Sequence, residues 1–195
     1  MRTVAIIQAR LGSERFPRKV LADIGGTSMI SRVVNQVRQC AGLDEIVVAS
    51  PWEDIEIADE VRRSDVGWFG GHATDVLDRY YQCAERFNAD VILRVTGDCP
   101  LWNPRCGEMV LRALGEHDYA SNVDIGGTDG WDAEAFTHDA LRIAHRESID
   151  REHVTTHMRS SPQFFRVLVL TPQIPDEAKW SVDTIEDLER VRAVA

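Results

Sequence analysis

Residues 3–19 read TVAIIQARLGSERFPRK, a short apolar run followed directly by a polar and basic loop. The run from Thr3 to Gln8 has no helical period and is typical of a strand buried inside a parallel sheet. In open α/β sheets, ligands bind beyond the carboxyl ends of the strands, which is where loop 9–19 must lie. This stretch therefore predicts both a buried strand and a ligand site at its end.

Strand and helix patterns alternate along the rest of the chain. Further strands are expected at 45–49, 66–69 (ended by Gly70-Gly71), 90–96 and 164–170, with loop and short strands over 118–136. Amphipathic helices are expected at 29–37, 55–61, 75–87, from Pro104 onward, 139–159 and 184–194. This alternation predicts an α/β fold with a mainly parallel sheet, in one domain spanning residues 1–195.

Composition and charge exclude several classes of protein. The chain has 195 residues, is 44% hydrophobic, and carries 22 basic against 32 acidic residues, giving a net charge of -10. It is too apolar for a disordered chain, and it shows neither a membrane-spanning run nor a signal peptide. Its acidity makes it a poor general nucleic-acid binder. The four cysteines form no close pair, so we expect a cytoplasmic protein with reduced thiols, Cys40 and Cys83 being small buried side chains.

Loop 9–19 concentrates positive charge against this acidic balance, at Arg10, Arg15, Arg18 and Lys19. Arginine grips phosphate oxygens in bidentate fashion and lysine supplies a compact charge. The loop lacks the glycine spacing of dinucleotide-binding and Walker-A loops. A phosphate site is one interpretation, and a solvated basic turn is the other.

Two carboxylates lie directly beside the ends of predicted elements. Asp98 follows the strand 90–96, and Asp183 precedes the last helix, 85 positions further on (183 − 98). If the two meet opposite the basic loop, they make a Mg²⁺ site completed by phosphate oxygens and water. Equally, Asp98 fits a turn, and Asp183 or Thr184 fits a helix cap.

Six segments in order resemble the cytidylyltransferases, most of all the branch of spore-coat polysaccharide enzymes, with the synthetases of CMP-3-deoxy-manno-octulosonate and CMP-sialic acids as more distant relatives. They are residues 5–21, DVLDRYY at 75–81, RVTGDCPL at 94–101, GWDAEAF at 130–136, REHVT at 151–155 and WSVDT at 180–184. The resemblance implies a Rossmann-like three-layer α/β/α nucleotidyltransferase fold with a mainly parallel mixed sheet. It also implies Mg²⁺-dependent transfer of CMP from CTP to a sugar or sugar-acid hydroxyl for surface polysaccharide synthesis, with release of pyrophosphate.

The resemblance also implies roles for individual residues. Lys19, Arg10, Arg15 and Asp98 would be catalytic, and Asp98 and Asp183 would hold Mg²⁺. The nucleotide would be bound by Gln8, Ala9, Arg10, Leu11, Gly12, Ser13, Arg15, Lys19, His72, Thr74, Asp75 and Arg79. The acceptor would be bound by Asp132, Glu134, Arg151 and His153, of which His153 is either a general base or a surface histidine. A homodimer is a further implication.

Several features depart from that family pattern. The segment 123–129 is short and the chain ends soon after Asp183, so the acceptor side, about 118–165, is expected to be compact. Trp131 and Trp180 are either pocket walls or core residues. A glycosyltransferase remains an alternative, although Asp98-Cys99-Pro100 lacks the second acid of a DxD motif. A non-catalytic nucleotide-binding protein and a homodimeric scaffold are the others.

Overall fold

A computed structural model describes residues 1–123, 125, 128–173 and 179–195. Its strands are β1 (Thr3–Gln8), β2 (Asp23–Ile24), β3 (Thr27–Ser28), β4 (Glu45–Pro51), β5 (Gly67–Gly71), β6 (Val91–Thr96), β7 (Tyr119–Ser121), β8 (Glu134–Thr137) and β9 (Arg166–Leu168). Its helices are α1 (Met29–Val37), α2 (Ile55–Arg62), α3 (Val76–Arg86), α4 (Pro104–Leu114), α5 (His138–Glu147), α6 (Thr156–Ser160) and α7 (Ile185–Arg192). A 3-10 turn covers Lys19–Leu21.

Seven of these strands form one sheet in the order β5-β4-β1-β6-β8-β7-β9. Strand β8 runs antiparallel to both of its neighbours, and the other described pairings in this sheet are parallel. Strands β2 and β3 make a separate antiparallel pair. The predicted α/β fold with a mainly parallel mixed sheet is therefore confirmed, and β1 lies inside the sheet between β4 and β6, buried as the opening stretch predicts.

Two apolar cores lie on the two faces of this sheet. Helices α1, α2 and α4 bury Val34, Ile57 and Val110 against one face, and α3 and α5 bury Leu77 and Leu141 against the other. A third, small cluster joins α7 to the β2–β3 pair and the start of α1; it contains Ile24, Met29, Val182, Leu188 and Val191. The predicted three-layer arrangement is present. Helix α7 lies beside it and packs in the third cluster.

Three boundaries differ from the sequence prediction. Gly70 and Gly71 continue strand β5 and pair with Ser50 and Pro51 of β4, where the sequence suggested that they end it. The helical pattern over 139–159 breaks into α5 and α6, because Asp150 accepts the backbone N–H groups of the next turn. The strand predicted over 164–170 is confined to β9.

The remaining expectations concern the cysteines, the membrane and the short loop. All four cysteines are free and buried, which confirms the prediction for Cys40 and Cys83. Within the described residues, no helix is long and apolar enough to cross a bilayer. Asp124, Gly126 and Gly127, in the shortened segment 123–129, lie outside the described residues.

Candidate active site

The ammonium group of Lys19 is the meeting point of three distant parts of the chain. It donates to the Asp98 carboxylate at 2.8 Å, to the backbone oxygen of Val182 at 2.7 Å and to the Asp183 carboxylate at 3.1 Å. The Lys19 side chain is only 10% exposed. The two carboxylates that the sequence left 85 positions apart (183 − 98) therefore lie on one cation, and a metal ion at this pair stays a prediction.

Asp98 reaches this position through a close approach of two backbones. The Gly97 N–H donates to the backbone oxygen of Gln8 at 2.8 Å, which joins the ends of β6 and β1. A Cβ atom at Gly97 would lie 2.8 Å from that same oxygen. Only glycine fits without a shift of backbone, so Gly97 fixes where the Asp98 carboxylate begins.

Asp183 is brought in by the start of α7. The Val182 N–H donates to the backbone oxygen of Asp98 at 2.9 Å. Thr184 caps the helix in a capping box with Asp187, so the cap is Thr184, and the suggestion that Asp183 caps it is wrong. The carboxylate of Asp183 is thereby left to face the site.

Three cations surround Asp183: Lys19, Arg15 at 3.1 Å and Lys179 at 3.0 Å. Partial burial alone would raise the pKa of Asp183, but hydrogen bonds and charge from Lys179 and Lys19 lower it below its ordinary value. Lys179 is a residue that the sequence reasoning missed. Its position four residues before Asp183, just ahead of an acidic helix start, was the available signal.

The basic loop divides its charges between two sides. Arg10 lies 3.8 Å from Glu152 and Arg15 faces Asp183, so both point into the site with Lys19. Arg18 points away, to an exposed ion pair with Glu56 on α2. Arg10, Arg15 and Lys19 therefore line the cavity, and Arg18 does not. Of these three, Arg15 and Lys19 contact Asp183.

A carboxylate from α2's N-terminus holds the loop in place. Asp54 accepts the Leu11 N–H at 2.8 Å, and the backbone oxygen of Leu11 accepts the N–H groups of Ser13 and Arg18. The Leu11 amide is therefore engaged within the chain and is not available to a phosphate. A Cβ at Gly12 would meet nothing within 4 Å, so the folded chain itself does not demand glycine there.

These elements enclose an open cavity of about 420 Å³ at the carboxyl ends of β1 and β6. It brings together residues predicted for the nucleotide, the metal and the acceptor. Those lining it are Gln8, Ala9, Arg10, Ser13, Arg15, Lys19, Arg79, Asp98, His153 and Asp183, together with Glu14, Val20, Val76, Arg94, Thr96, Gly97 and Glu152. The cavity is a candidate active site because cations, carboxylates and a histidine share it.

Other predicted site residues lie outside that lining, namely Leu11, Gly12, His72, Thr74, Asp75, Asp132, Glu134 and Arg151. Several of them build the start of α3. His72 Nδ1 accepts the N–H groups of Thr74 and Asp75, and the Asp75 carboxylate caps α3 and binds Arg151 Nε at 2.8 Å. Contacts of these residues with the nucleotide or the acceptor stay predictions.

The inner face of the cavity carries polar side chains from two elements, α3 and β1. Arg79 of α3 is buried and donates through Nη1 to the backbone oxygen of His72 at 2.7 Å. Among the described residues, its Nε and the Oε1 of Gln8 are buried without a hydrogen-bond partner. Buried polar atoms are nearly always paired, so these two are suited to a bound ligand.

On the acceptor side, Glu134 is buried and pairs with Arg94, while the Tyr119 hydroxyl donates to its other oxygen. Asp132 lies two residues before Glu134 and is exposed. Loss of hydration, and then the charges of Asp129 and Glu134, raise the pKa of Asp132 to about 6.

The two tryptophans discussed above and Cys99 have structural roles. Trp131 and Trp180 pack against the apolar clusters, outside the described cavity lining, which favours the core interpretation. Cys99 Sγ lies 3.1 Å from Thr96 Oγ1 and 3.7 Å from the Asp98 carboxylate. Burial raises the pKa of the Cys99 thiol, so it supports the turn as a neutral group. His153 is an exposed side chain paired with Asp150 at the cavity edge.

A mixed α/β sheet with a lysine and two carboxylates at its carboxyl edge defines the class of nucleotidyltransferases, and comparison with known proteins agrees. The family model described as cytidylyltransferase matches residues 4–191. The chain belongs to the cytidylyltransferase family, which confirms the resemblance seen in the sequence.

Individual relatives give the same result. The chain is 30% identical to the spore coat polysaccharide biosynthesis protein SpsF of Bacillus subtilis, over 97% of this chain and 84% of that protein. It is 37% identical to a 3-deoxy-manno-octulosonate cytidylyltransferase of Anaeromyxobacter, over 58% of this chain and 48% of that one. A cytidylyltransferase structure from Leptospira borgpetersenii superposes with a TM-score of 0.92 at 25% identity, covering 99% and 86% of the two chains. These matches favour nucleotidyl transfer over the glycosyltransferase alternative.

Proposed function

We propose that this protein transfers CMP from CTP to a hydroxyl of a sugar or sugar acid and releases pyrophosphate. The observation that carries the proposal is the Lys19 ammonium held between Asp98 and Asp183 at the point where the basic loop enters the cavity. Attack of a hydroxyl on the α-phosphorus needs positioning and neutralisation of charge more than covalent help. A fixed lysine beside two carboxylates supplies both, and membership of the cytidylyltransferase family supports CTP as the donor.

Each cation of the cavity has a task in that reaction. Arg10 and Arg15 bind the triphosphate, since their planar guanidinium groups match phosphate oxygens. Lys19 stabilises the negative charge that builds on the α-phosphate and on the pyrophosphate leaving group. Gln8 and Arg79 offer their unpaired buried atoms to the cytidine. Carboxylates already hold Arg15 and Lys19 in the cavity, and the incoming triphosphate would replace these carboxylates as partners of the two cations.

The carboxylate pair also fits Mg²⁺. Asp98 and Asp183 present the oxygen donors that this ion prefers, and it normally takes one or two protein carboxylates. Among the described residues, no group of three or more His, Cys, Asp or Glu side chains gathers to hold a metal, so an ion at this pair would depend on phosphate oxygens and water for its other ligands. Bound there, the ion would neutralise phosphate charge and lower the pKa of a coordinated hydroxyl.

The acceptor, pathway and compartment complete the proposal. His153 lines the cavity and is exposed, and there it would take the hydroxyl proton. Activation of a sugar for a surface polysaccharide is supported by the likeness to a spore coat polysaccharide biosynthesis protein. The free cysteines favour the reducing cytoplasm. A homodimer stays a prediction, which sedimentation of the purified chain would test.

The decisive experiment is a pyrophosphate-release screen of four nucleoside triphosphates against sugars, sugar acids and phosphonates. We expect release with CTP and Mg²⁺, and a large loss in Lys19→Met. Arg18→Gln is a matched control, because Arg18 comes from the same loop but pairs with Glu56 outside the cavity. Activity with UTP alone would overturn the assignment to cytidine. Sugar transfer from a nucleotide sugar, with no pyrophosphate, would favour the glycosyltransferase alternative.

A further inference from the structure

Lys179 bridges two carboxylates at the start of α7. Its ammonium donates to Oδ2 of Asp183 and to Oδ2 of Asp187, both at 3.0 Å. Asp183 belongs to the described lining of the candidate active site, and Lys179 lies outside that lining. Lys179 is therefore joined to the cavity through the Asp183 carboxylate, without bordering the space that a substrate fills.

Asp187 is a fixed anchor for this bridge. Its side chain is only 7% exposed. Besides Lys179, its Oδ2 accepts the backbone N–H groups of Asp183 at 2.9 Å and of Thr184 at 3.0 Å. Its Oδ1 accepts from Arg190 at 2.9 Å. A buried carboxylate with this many donors keeps one orientation, so the ammonium of Lys179 is held at a defined place beside Asp183.

The helix cap does not account for Lys179. Thr184 and Asp187 form a complete capping box from their own side chains and backbone N–H groups. Moreover, the N-terminal end of a helix carries partial positive charge, so an ammonium group placed there is unfavourable. A lysine at this end of α7 therefore indicates a task other than capping, and its second contact is the Asp183 carboxylate.

The two oxygens of Asp183 have different partners. Oδ1 accepts from Lys19 at 3.1 Å, while Oδ2 accepts from Lys179 and lies 3.1 Å from Arg15. Because Lys179 fixes Oδ2, the other oxygen of Asp183 faces Lys19. The same Lys19 ammonium contacts Asp98 at 2.8 Å. The bridge from Asp187 thus determines which oxygen of Asp183 is presented toward the Asp98 carboxylate.

The three cations around Asp183 differ in what a bound nucleotide does to them. Arg15 and Lys19 line the cavity, and in the proposed function they leave Asp183 for phosphate oxygens. Lys179 lies outside the lining and stays joined to Asp187. A carboxylate released by every cation would rotate freely and would have to lose that freedom again to bind an ion. Lys179 is placed to prevent this release.

We propose that Lys179, anchored by Asp187, is a positioning residue that keeps the Asp183 carboxylate directed at the Mg²⁺ site once the nucleotide has taken Arg15 and Lys19. This rests on the proposed function, because it concerns the carboxylate pair of the same site. Hydrogen-bonding partners that orient metal-binding side chains are typically worth 10–100-fold in metal affinity, by a general estimate. Lys179 acts through Asp183 and contacts neither substrate.

The test measures binding of an ion to the nucleotide complex, without turnover. Mn²⁺ is the probe, because it takes the same oxygen ligands as Mg²⁺ and free Mn²⁺ is measured by electron paramagnetic resonance. The nucleotide is α,β-methylene-CTP, whose α–β linkage is not cleaved. Protein is kept in excess, so that no free nucleotide competes for the ion. Calorimetry measures nucleotide binding separately in the absence of metal.

Two variants of Lys179 separate its charge from its bulk. Lys179→Met removes the ammonium and keeps most of the side chain. We expect the Mn²⁺ affinity of the nucleotide complex to fall by about tenfold or more. Metal-free nucleotide affinity should change by less than about threefold, because salt screens a charge outside the cavity. Lys179→Arg keeps a cation that can bridge two carboxylates, and should restore Mn²⁺ affinity to within about threefold of wild type.

Arg190→Gln is the matched control. Arg190 binds the other oxygen of Asp187 and donates to the backbone oxygen of Lys179 at 3.3 Å. Within the part of the chain that the structure describes, no hydrogen bond or ion pair joins it to Asp183. We expect Mn²⁺ affinity as in wild type. Urea unfolding of each variant verifies the fold and measures how much each cation adds to the stability of α7.

Four results would overturn the inference. The first is a folded Lys179→Met protein whose nucleotide complex binds Mn²⁺ as tightly as wild type or more tightly. The second is a loss in Lys179→Arg as large as in Lys179→Met. The third is an equal loss in Arg190→Gln, because the effect then comes from the anchor alone. The fourth is a wild-type nucleotide complex that binds no Mn²⁺. Failure of the wild-type protein to bind the nucleotide contradicts the proposed function itself, and the inference falls with it.

Discussion

At the scale of single residues, the site depends on Gly97 more than on the glycine of the basic loop. A Cβ at Gly97 would press on a backbone oxygen at 2.8 Å and on Ala9 and Ile30 at 3.2 Å. We expect Gly97→Ala to lower the free energy of unfolding by about 1–3 kcal/mol. Gly12→Ala, in open space, should change it by less than about 0.5 kcal/mol. Urea titrations compare the two, and equal costs would contradict the close-approach argument.

Asp98 carries the next prediction. Asp98→Asn keeps the shape of the side chain but removes a negative charge from Lys19 and one carboxylate from the proposed metal pair. Pyrophosphate release should fall by about 10²-fold or more, a loss typical of removing one electrostatic contact to the reacting groups. The fold should persist, since Lys19 retains Val182 and Asp183. Asp59→Asn, at an exposed side chain on α2, is the control, and a wild-type rate in Asp98→Asn would remove the metal role.

Asp132 predicts a pH dependence of stability. Its pKa of about 6 lies above the value near 3.9 of an aspartate in an unfolded chain. The folded state therefore binds the proton more tightly, so this group adds stability as pH falls through 6 and loses it as pH rises. Asp132→Asn should become progressively stabilising, relative to wild type, from about pH 4 to about pH 6, and the difference should level off above that. Urea unfolding across that range checks this, with Asp139→Asn, 78% exposed, as control; a pH-independent difference would contradict it.

The sequence alone predicts those site residues whose role follows from their position at the end of a strand or helix. Lys19, Asp98 and Asp183 were chosen from their places at strand and helix ends, and the fold brings them together. Lys179 and Arg94 were missed, because their importance comes from partners that folding alone supplies. Arg94 meets Glu134 forty positions away, across two strands whose pairing the sequence does not reveal.

At the scale of secondary structure, hydrophobic periodicity predicts the helices well. Residues typical of turns predict the ends of helices and strands less well. The amphipathic pattern located α1 and α3 well, since one face of each packs on the sheet. The pattern over 139–159 continued across a break, because Asp150 gathers backbone N–H groups that a helix would otherwise use. Gly70 and Gly71 resemble a strand end, yet a Cβ at Gly71 would lie 2.8 Å from the Arg79 side chain, so glycine there serves packing.

Helix α7 provides a prediction at this scale. It begins two residues after Asp183 and is fastened by the Thr184–Asp187 capping box. Thr184→Ala removes the hydroxyl that accepts the Asp187 N–H, and should lower the free energy of unfolding by about 1 kcal/mol. Thr184→Ser retains that hydroxyl and should cost less than about half as much. Urea unfolding of the two variants measures this, and equal losses would assign the effect to the methyl group rather than to the cap.

At the scale of the whole molecule, the net charge of -10 conceals a site in which charges are already balanced. Arg15, Lys19 and Lys179 surround Asp183, so each cation of this group has an anionic partner before any substrate is present. An incoming triphosphate exchanges partners with Arg15 and Lys19. The acidic net charge and an anionic substrate are therefore compatible, because binding depends on the charges that surround the site and not on the net charge of the chain.

The last prediction concerns how the three apolar clusters unfold. Two of them share the central sheet, so neither persists when the other is lost. The third, beneath α7, is tied to the sheet through the Val182–Asp98 backbone bond and the Lys19 ion pairs. We expect one cooperative transition in urea, with far-UV circular dichroism, tryptophan fluorescence and CTP binding lost together. Val191→Ala, in the third cluster, is the sharper test, because it should shift all three curves to lower urea by the same amount. CTP binding lost well before the circular dichroism signal would show instead that α7 detaches from an intact sheet, and that the Asp183 half of the site is a separately melting unit.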